Sequence, residues 1–365
     1  MKINIISLFL SLIFGYFTLY NVKVIIVAIV FLLINSFLNL FKFSFISVRR
    51  SPSFLIGLCI LIYTALLAIY SGNYKSIGST FTFFLLAYWP IFYISNQIRN
   101  LYKQAYYTYL LAAIITSFGV ILQMLLYKLT NTHLGFIQQF GGGRIAYGFI
   151  WNDYSFLSLF LVSAVPLVLS LKGAQYKYVL TLILISASLI TSARTGITSL
   201  TATYLIYTIF KYPYLIKKKK TYQIVFLFIL LCFIIFILQD QFQLMNRSFS
   251  LSGSGREDGY IKALDYFLDN ILFGSFLDTE SYRKLITIIP HNIFIYSLSI
   301  GGIFYFLLII FWLTSVGYEF VYTETTSLKI AFLVIIIGFQ FIPSFFSAYF
   351  FAILISITVM RNKVK

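Results

Sequence analysis

The sequence predicts an all-α membrane protein, a polytopic bundle of about twelve transmembrane helices. Of its 365 residues, 60% are hydrophobic and only 10% are charged, and the mean hydropathy is +0.92. A soluble domain usually has about 25% charged residues, so lipid must replace water around much of this chain. In lipid each backbone N–H and C=O needs an internal partner, which leaves helices or closed barrels. The apolar runs are continuous and last roughly 16–22 residues, which is the length of a spanning helix and not of a barrel strand.

Twelve apolar runs account for the predicted spans, which make residues 1–365 a single integral membrane domain. They lie at roughly 3–20, 23–41, 53–70, 79–95, 105–127, 150–171, 177–192, 196–211, 222–239, 291–317, 328–342 and 344–360. The first run is interpreted as a span and not a signal peptide, because a second long run follows it directly without a clear cleavage site. Cys59 and Cys232 both fall within apolar runs, so the sequence predicts neither a disulfide framework nor a cysteine metal site.

The net charge of +17 is interpreted as a topological signal and not as nucleic-acid binding. If the N-terminus is cytoplasmic, most lysines and arginines fall in inside segments, as the positive-inside rule requires. The run Lys217–Lys220 is the strongest of these inside markers, and it could also bind anionic lipid. Both termini are therefore predicted to be cytoplasmic.

The acidic residues are distributed in the opposite sense. Only Glu319 and Glu324 fall on the predicted inner side, and the other acids lie in outside segments. The spans themselves are thus almost free of carboxylates. An ion-coupled transporter usually places ionisable groups in the middle of its spans, so this distribution weakens a transporter function.

One large polar loop is predicted on the outer side, at about 240–290. Within it, Arg256 to Gly274 reads as a helix (256–273 without its terminal glycine) that Ser254 or Gly255 could cap. Its apolar residues recur at helical spacing. They are Ile261, Leu264, Phe267, Leu268, Ile271 and Leu272. Such a helix would lie on the membrane surface or fold back over the bundle, either as ordinary packing or as the cover of an active site.

Two outside connections carry arginines. Gly141-Gly142-Gly143-Arg144 precedes Trp151-Asn152-Asp153, and its glycines would let backbone approach a ligand that the arginine binds. The alternative is a flexible loop with an interfacial arginine. Thr191 to Gly196 forms a tight connection that holds Arg194 near the membrane edge. There the arginine needs a partner, or it snorkels to water.

Two further outside features lie around the large loop. Arg256 follows a Ser/Gly run at the start of the loop helix, where amides and a guanidinium make an anion site, although a salt bridge with Glu257 would also explain it. His291-Asn292 follows Pro290 at the start of a span, and an ordinary hydrogen-bonded interfacial histidine is the alternative. Neither His291 nor His133 has metal-ligand spacing to another residue, so no metal is predicted. Together, three arginines and a histidine on one side indicate recognition of a pyrophosphate or similar polyanion.

These residues resemble the motifs of the O-antigen ligase/polymerase superfamily of bacterial membrane glycosyltransferases. His291-Asn292, nine further residues, and then Gly302 and Tyr305 fit the family pattern H-[N/S/Q]-x9-G-x-x-[G/T/Y] at every fixed position. Ser192-Ala193-Arg194-Thr195-Gly196 is similar to the family's S-R-t/g-G motif, with Ala193 interrupting the pair. Gly255-Arg256 and the residues as far as Phe273-Gly274 resemble a stretch of the family's large periplasmic loop, with Tyr260 where tryptophan is usual.

The resemblance implies a GT-C-like fold in the inner (plasma) membrane of a bacterium, with a periplasmic or extracellular active site. It implies an undecaprenyl-pyrophosphate-linked oligosaccharide as the donor, no cofactor and no metal, since positive side chains would neutralise the leaving group. By motif position, His291 is the expected general base, and Arg194 and Arg256 bind pyrophosphate or glycan. Substrate contacts are also expected from Arg144, Asn152, Asn292 and Tyr305.

We expect a Wzy-type polymerase, which transfers the glycan to another lipid-linked repeat unit of O-antigen or capsule. The flippase and the chain-length regulator of the same pathway are the expected protein partners. The motif does not separate this activity from that of a ligase, which transfers glycan to lipid A–core. A lipid-linked oligosaccharide flippase is the alternative of another class. A flippase would be expected to show short loops and charges inside the bundle.

Overall fold

The computed structural model describes residues 2–19, 22–40, 51–93, 95–140, 143–173, 175–211, 256–286 and 289–364. Helices predominate within these ranges. Three of the helices described are long and apolar enough to cross a membrane, namely Pro52–Ser71, Ile98–Thr130 and Ile293–Tyr322. The expectation of a mostly helical protein with membrane-type helices is therefore confirmed, whereas the number of twelve spans is not.

The elements are named in chain order. They are α1 (Lys2–Phe14), β1 (Thr18–Leu19), β2 (Val22–Lys23), α2 (Val24–Leu40), α3 (Pro52–Ser71), α4 (Lys75–Tyr88), a 3-10 helix (Trp89–Phe92), α5 (Ser95–Thr130), β3 (Phe136–Gln139), β4 (Ile145–Phe149), α6 (Tyr154–Ser163), α7 (Val165–Leu169), α8 (Lys177–Ile190), α9 (Arg194–Lys211), α10 (Arg256–Asp269), α11 (Thr279–Ile286), α12 (Ile293–Tyr322), α13 (Thr326–Gly338), a second 3-10 helix (Phe339–Phe341) and α14 (Tyr349–Lys363).

The chain divides into two compact units. The first unit comprises Met1–Tyr109, Ser250–Thr325 and Phe339–Lys365, and the second comprises Leu110–Phe249 and Thr326–Gly338. The boundary falls inside α5, so one continuous helix belongs to both. The single domain predicted over 1–365 thus has internal subdivision.

Helix α14 forms the centre of the first unit, and its residues from Tyr349 to Met360 are all buried. It packs against α1, α4 and α12. Aromatic side chains fill the space between these helices, with the rings of Trp312 and Phe345 stacked at 5.2 Å. The Trp312 indole donates to the Tyr88 hydroxyl at 3.0 Å. An amphipathic stripe is absent from α14 because protein surrounds it on every side.

The second unit is built around α6, which contacts α8, α9 and α13. Two glycines allow these close approaches. A Cβ on Gly196 of α9 would overlap Ser158 of α6, and one on Gly338 would overlap the Leu159 side chain. Small residues are the usual means by which apolar helices pack closely in lipid.

Two short antiparallel hairpins are added to the mostly helical fold, and they pair β1 with β2 and β3 with β4. Three expectations about individual elements are corrected. Within the span predicted at 3–20, the helix ends at Phe14, and the first hairpin begins at Thr18. Within the span predicted at 150–171, the helix begins at Tyr154, and Ala164 separates α6 from α7. Pro166 of α7 lacks the N–H that a continuous helix needs. The loop helix ends at Asp269 and not at Gly274, and α11 follows it.

Glu319 also differs from its predicted position in an inner loop. Helix α12 continues through it to Tyr322, and its side chain is only 8% exposed. Its Oε1 accepts hydrogen bonds from the hydroxyls of Ser51 at 2.9 Å and Ser53 at 2.6 Å. These two bonds offset part of the cost of burying the carboxylate. The predicted span 222–239, the marker Lys217–Lys220 and the caps at 254–255 lie outside the described residues.

Candidate functional site

In the second unit, Gly143 and Arg144 lie between strands β3 and β4 of a hairpin, and Gly141 and Gly142 lie outside the described residues. Strands Phe136–Gln139 and Ile145–Phe149 pair antiparallel, and Gly143 has a φ of +75°. The Phe140 N–H donates to the Arg144 carbonyl at 2.8 Å and closes the ladder on the turn side. Gly143 therefore supplies a left-handed backbone conformation that other residues adopt rarely. The sequence indicated a glycine loop here but not the two strands.

Gln123 of α5 connects the β3–β4 hairpin to α5. Its amide nitrogen donates to the carbonyls of Leu134 and Phe136, and its Oε1 accepts from the Phe149 N–H at 2.6 Å. Gln123 is fully buried, so these bonds satisfy an amide that would otherwise be costly inside an apolar unit. The hairpin is thus positioned by three polar contacts to one side chain. The sequence analysis missed this residue, although a lone amide within the run 105–127 was a usable signal.

Arg144 contacts the second arginine-bearing connection. Its Nε donates to the Ser192 hydroxyl at 2.6 Å, and its guanidinium carbon lies 4.3 Å from the centroid of the Phe140 ring. Ser192 is buried and belongs to the turn between α8 and α9. Two features that are far apart in sequence are therefore joined within one unit. The bond and the ring hold the guanidinium in one orientation, which suits recognition of a planar or forked anion.

The turn that precedes Arg194 is tight and strained. Ser192 has a φ of +61°, which is uncommon for a residue with a side chain. The Ala193 N–H donates to the Thr191 hydroxyl at 3.3 Å, and the Ala193 carbonyl accepts from the Ser158 hydroxyl at 3.3 Å. Arg194 is the first residue of α9 and is partly buried. It thus lies at the positive end of a helix dipole, where an anion is also stabilised.

The Trp151-Asn152-Asp153 segment connects the hairpin to α6. The Trp151 ring stacks on Phe160 at 5.3 Å and is buried. Asp153 caps α6 by accepting from the N–H groups of Ser155 at 2.9 Å and Phe156 at 3.0 Å. Asn152 lies between them and is exposed. Of the three side chains, that of Asn152 is the most accessible to a ligand.

In the first unit, His291-Asn292 forms the start of α12. The Asn292 side chain caps the helix by accepting from the N–H groups of Phe294 at 2.9 Å and Ile295 at 3.2 Å, and it donates to Gln340 at 3.2 Å. The asparagine of the motif thus orients the helix start. His291 is partly exposed, and its carbonyl accepts from the Tyr260 hydroxyl at 3.4 Å. Tyr260, at the position where the family has tryptophan, therefore ties α10 to the histidine.

The Gly302 position of the motif is a break in α12. Its φ of +73° and ψ of −174° interrupt the helix. The turn at 271–277 satisfies the backbone groups around the break. The Ser275 N–H donates to the Ser299 carbonyl at 3.2 Å, and the Leu277 N–H donates to the Ile300 carbonyl at 2.9 Å. In the other direction, the Ile303 N–H donates to the Ile271 carbonyl at 2.9 Å. A membrane helix tolerates such a break only where other groups take up its hydrogen bonds.

Tyr305 lies one turn beyond the break and faces the protein. It is only 5% exposed, and its ring stacks on Tyr63 of α3 at 6.0 Å. The Tyr63 hydroxyl donates to the Gly301 carbonyl at 3.2 Å. In this conformation Tyr305 supports the break and is not open to a substrate, unlike the role expected from the motif.

A small hydrophobic core joins the loop helices α10 and α11 to α12. Ala263, Tyr282 and Ile286 are buried together, and Tyr296 packs against them. The hydroxyls of Tyr282 and Ser299 lie 2.5 Å apart, and burial raises the pKa of Tyr282 to about 12. This phenol therefore stays protonated at neutral pH and serves as a structural hydrogen-bonding group.

Asp278 caps α11 at the edge of this core. Its carboxylate accepts from the N–H groups of Glu280 at 3.1 Å and Ser281 at 3.2 Å. Hydrogen bonding from the Ser281 side chain is the main factor that lowers the pKa of Asp278, and the two backbone amides and the charge of Lys284 add to the effect. The ionised cap holds α11 in place beside α12.

The predicted site residues are distributed over both units. Arg144, Asn152 and Arg194 belong to the second unit, and Arg256 and His291 to the first. Arg256 is the first residue of α10. The expectation that the three arginines and the histidine act on one substrate stays a prediction. Among the described residues, no three His, Cys, Asp or Glu side chains group closely enough to hold a metal ion.

The described fold is that of a mostly helical protein with helices of membrane-crossing length and composition. No protein family model matches the chain, and no curated protein matches it.

Proposed function

We propose that this protein is a polysaccharide repeat-unit polymerase of the O-antigen ligase/polymerase superfamily. The observation that carries the proposal is the His291-Asn292…Gly302…Tyr305 pattern. Its members have distinct structural settings in the first unit: Asn292 caps α12, Gly302 interrupts it, and Tyr305 packs behind the interruption. The break also receives the Phe273-Gly274 segment, which belongs to the second resembling stretch. Residues from the two resembling stretches thus lie next to each other in the first unit.

The proposed reaction needs a base and a cationic group. The hydroxyl oxygen of the acceptor sugar bonds to the anomeric carbon of the donor, while the bond from that carbon to the pyrophosphate oxygen breaks. His291 accepts the hydroxyl proton, and undecaprenyl pyrophosphate leaves with the electron pair of the broken bond. Arg194 and Arg256 stabilise the charge that develops on the pyrophosphate.

The second unit supplies a further cation in a defined orientation. Arg144 is held by the Ser192 hydroxyl and the Phe140 ring. Arginine suits this purpose because its guanidinium can donate two parallel hydrogen bonds to a phosphate. We assign Arg144 and Asn152 to substrate binding and Asn292 to positioning His291. The expected location is the inner membrane of a bacterium, with these residues on the outer side.

The test is repeat-unit polymerisation by the purified full-length protein with a lipid-linked repeat unit. His291→Ala and Arg194→Ala should abolish the polymer ladder, whereas Arg194→Lys should retain part of it because the positive charge remains. Matched controls are His133→Ala and Arg283→Ala, which alter residues on exposed parts of the chain. A normal ladder from His291→Ala protein present at the wild-type level would contradict the proposal. Transfer to lipid A–core in place of a second repeat unit would identify a ligase.

A topology test is independent of activity. Reporter fusions at residue 218 and at residue 265 should show the first inside and the second outside. The positive-inside rule is the reason for this expectation. The reverse result would place the loop helix on the wrong side for a lipid-linked sugar exported to the outer face.

A further inference from the structure

Helix α10 and the turn that follows it carry an exposed apolar stripe. Its members are Ile261, Leu264, Leu268, Ile271 and Leu272, each between 40% and 64% exposed. At 100° per residue, the three members that belong to α10 fall within a sector of roughly 60° on one side of the helix axis, and Ile271 and Leu272 continue the stripe in the turn. The sequence predicted that this apolar side packs on the protein or the membrane. In the structure these side chains are exposed on the first unit.

The other two sides of α10 have different chemistry. Ala263 and Tyr266 face the protein, where they contact the core that contains Tyr282. The charged residues Asp258, Lys262, Asp265 and Asp269 are all exposed and occupy the remaining sector. The helix thus presents one side to protein, one side to water and one apolar side between them. This three-sided arrangement is expected of a helix that lies in a membrane interface and is packed against a membrane protein.

The apolar stripe continues onto two of the candidate membrane-spanning helices. The ring of Phe273 lies 6.5 Å from that of Phe304 on α12, and the ring of Phe276 lies 4.6 Å from that of Tyr70 at the end of α3. Phe304 is 48% exposed and Tyr70 is 76% exposed. Both α3 and α12 are apolar enough to be surrounded by lipid. The exposed apolar surface of the stripe therefore continues onto these two helices.

The hydrogen bonds at the break in α12 set the depth of this arrangement. Residues 271–277 reach the helix at Gly302, roughly 14 Å along its axis from Ile293. That docking places the end of α10 near the break in α12, and not beside the first residue of α12. Phe276 and Leu277 both have positive φ values in this turn, so the backbone is bent sharply to hold the position.

We infer that α10 lies partly immersed in one leaflet of the bilayer, with the stripe from Ile261 to Leu272 against phospholipid acyl chains. Its water-facing side carries three aspartates and one lysine. This side offers no attraction to anionic headgroups, so burial of apolar surface drives the interaction. Membrane contact of α10 should therefore be insensitive to the fraction of anionic lipid.

The test measures which solute reaches each side of α10. Single cysteines are introduced into full-length protein with Cys59→Ser and Cys232→Ser, labelled with a nitroxide and reconstituted in phosphatidylcholine vesicles. The stripe sites are Ile261→Cys, Leu264→Cys and Leu268→Cys, and the matched polar sites are Lys262→Cys, Asp265→Cys and Asp269→Cys. Collisions with oxygen, which concentrates in acyl chains, are compared with collisions with a water-soluble nickel complex.

The stripe labels should collide mainly with oxygen and the polar labels mainly with the nickel complex. Adding phosphatidylglycerol to the vesicles should leave both results unchanged. Equal access of the nickel complex to stripe and polar labels would overturn the inference, because the stripe would then face water. Protection of the stripe labels from both reagents, with spin–spin broadening between copies, would overturn it in favour of a second copy of the chain. The polar labels lie on the same helix and therefore provide the water-exposed reference for the stripe labels.

Discussion

Gly274 and Gly302 face each other across the docked turn, since a Cβ atom on Gly274 would lie 2.8 Å from the backbone nitrogen of Gly302. A Cβ on Gly302 would in turn overlap the backbone of Leu272 and Phe273, which precede Gly274 in the same turn. Both glycines have positive φ values. The two glycines that the family resemblance singled out in separate motifs thus form one contact between the loop and α12.

Substituting either glycine should destabilise the first unit. Gly274→Ala and Gly302→Ala each add backbone strain of about 1–3 kcal/mol, because both glycines have a positive φ. Each alanine also adds an overlap with backbone atoms that cannot move freely. We expect a lower midpoint of thermal unfolding in detergent for both variants. Gly72→Ala is the matched control: Gly72 also has a positive φ, but nothing lies within 4 Å of its Cβ position. Equal losses for all three variants would mean that the contact between the glycines contributes nothing beyond strain.

The Arg144–Ser192 hydrogen bond should appear as coupling in a double-mutant cycle. Ser192→Ala removes the acceptor, Arg144→Lys removes the Nε donor, and the double variant removes both. Because a hydrogen bond to a charged group contributes about 1.5–3 kcal/mol, the losses in unfolding free energy should be less than additive. The measurement is chemical unfolding of the four proteins in detergent. Strict additivity would show that the two residues are energetically independent.

Replacing Gln123 should loosen the β3–β4 hairpin. Gln123→Leu leaves the carbonyl of Phe136 and the N–H of Phe149 without their partner, at about 1–3 kcal/mol for each buried group left unsatisfied. Hydrogen exchange at residues 136–149 should become faster, with α14 unchanged as an internal reference. Gln139→Ala is the control, because this glutamine is exposed and its side chain donates to the Tyr127 hydroxyl at 2.9 Å. Unchanged exchange in Gln123→Leu would show that the strands hold themselves in place.

Asp278 should make stability depend on pH in the acid range. Its pKa in the folded protein is lowered by hydrogen bonding from Ser281, so its contribution is present above about pH 4, the usual value for aspartate. It is lost as the pH falls through the lower folded value. We expect wild-type stability to decline more steeply below pH 4 than that of Asp278→Asn. Asp269→Asn, which alters an exposed aspartate, should keep the wild-type dependence. Parallel curves for wild type and Asp278→Asn would contradict the assignment.

The sequence by itself determined the class of fold. Composition and the length of the apolar runs predicted helices, and described helices overlap the predicted spans at 53–70, 105–127 and 291–317. The sequence also identified Gly302 as part of a motif, and a glycine permits the positive φ that this position has. Periodicity located α10 and its apolar stripe, because both are properties of adjacent residues in one chain segment.

Only the tertiary structure decided which of these residues meet. Gln123, Ser192 and Tyr282 become significant through contacts with residues far away in sequence, and no local pattern encodes such pairings. The same applies to α10, whose protein-facing side is not its most apolar side. A stripe of leucine and isoleucine lowers its free energy equally well against protein or lipid. The sequence could therefore specify the stripe, but the docking of residues 271–277 at the break in α12 decided that its side chains stay exposed on the first unit.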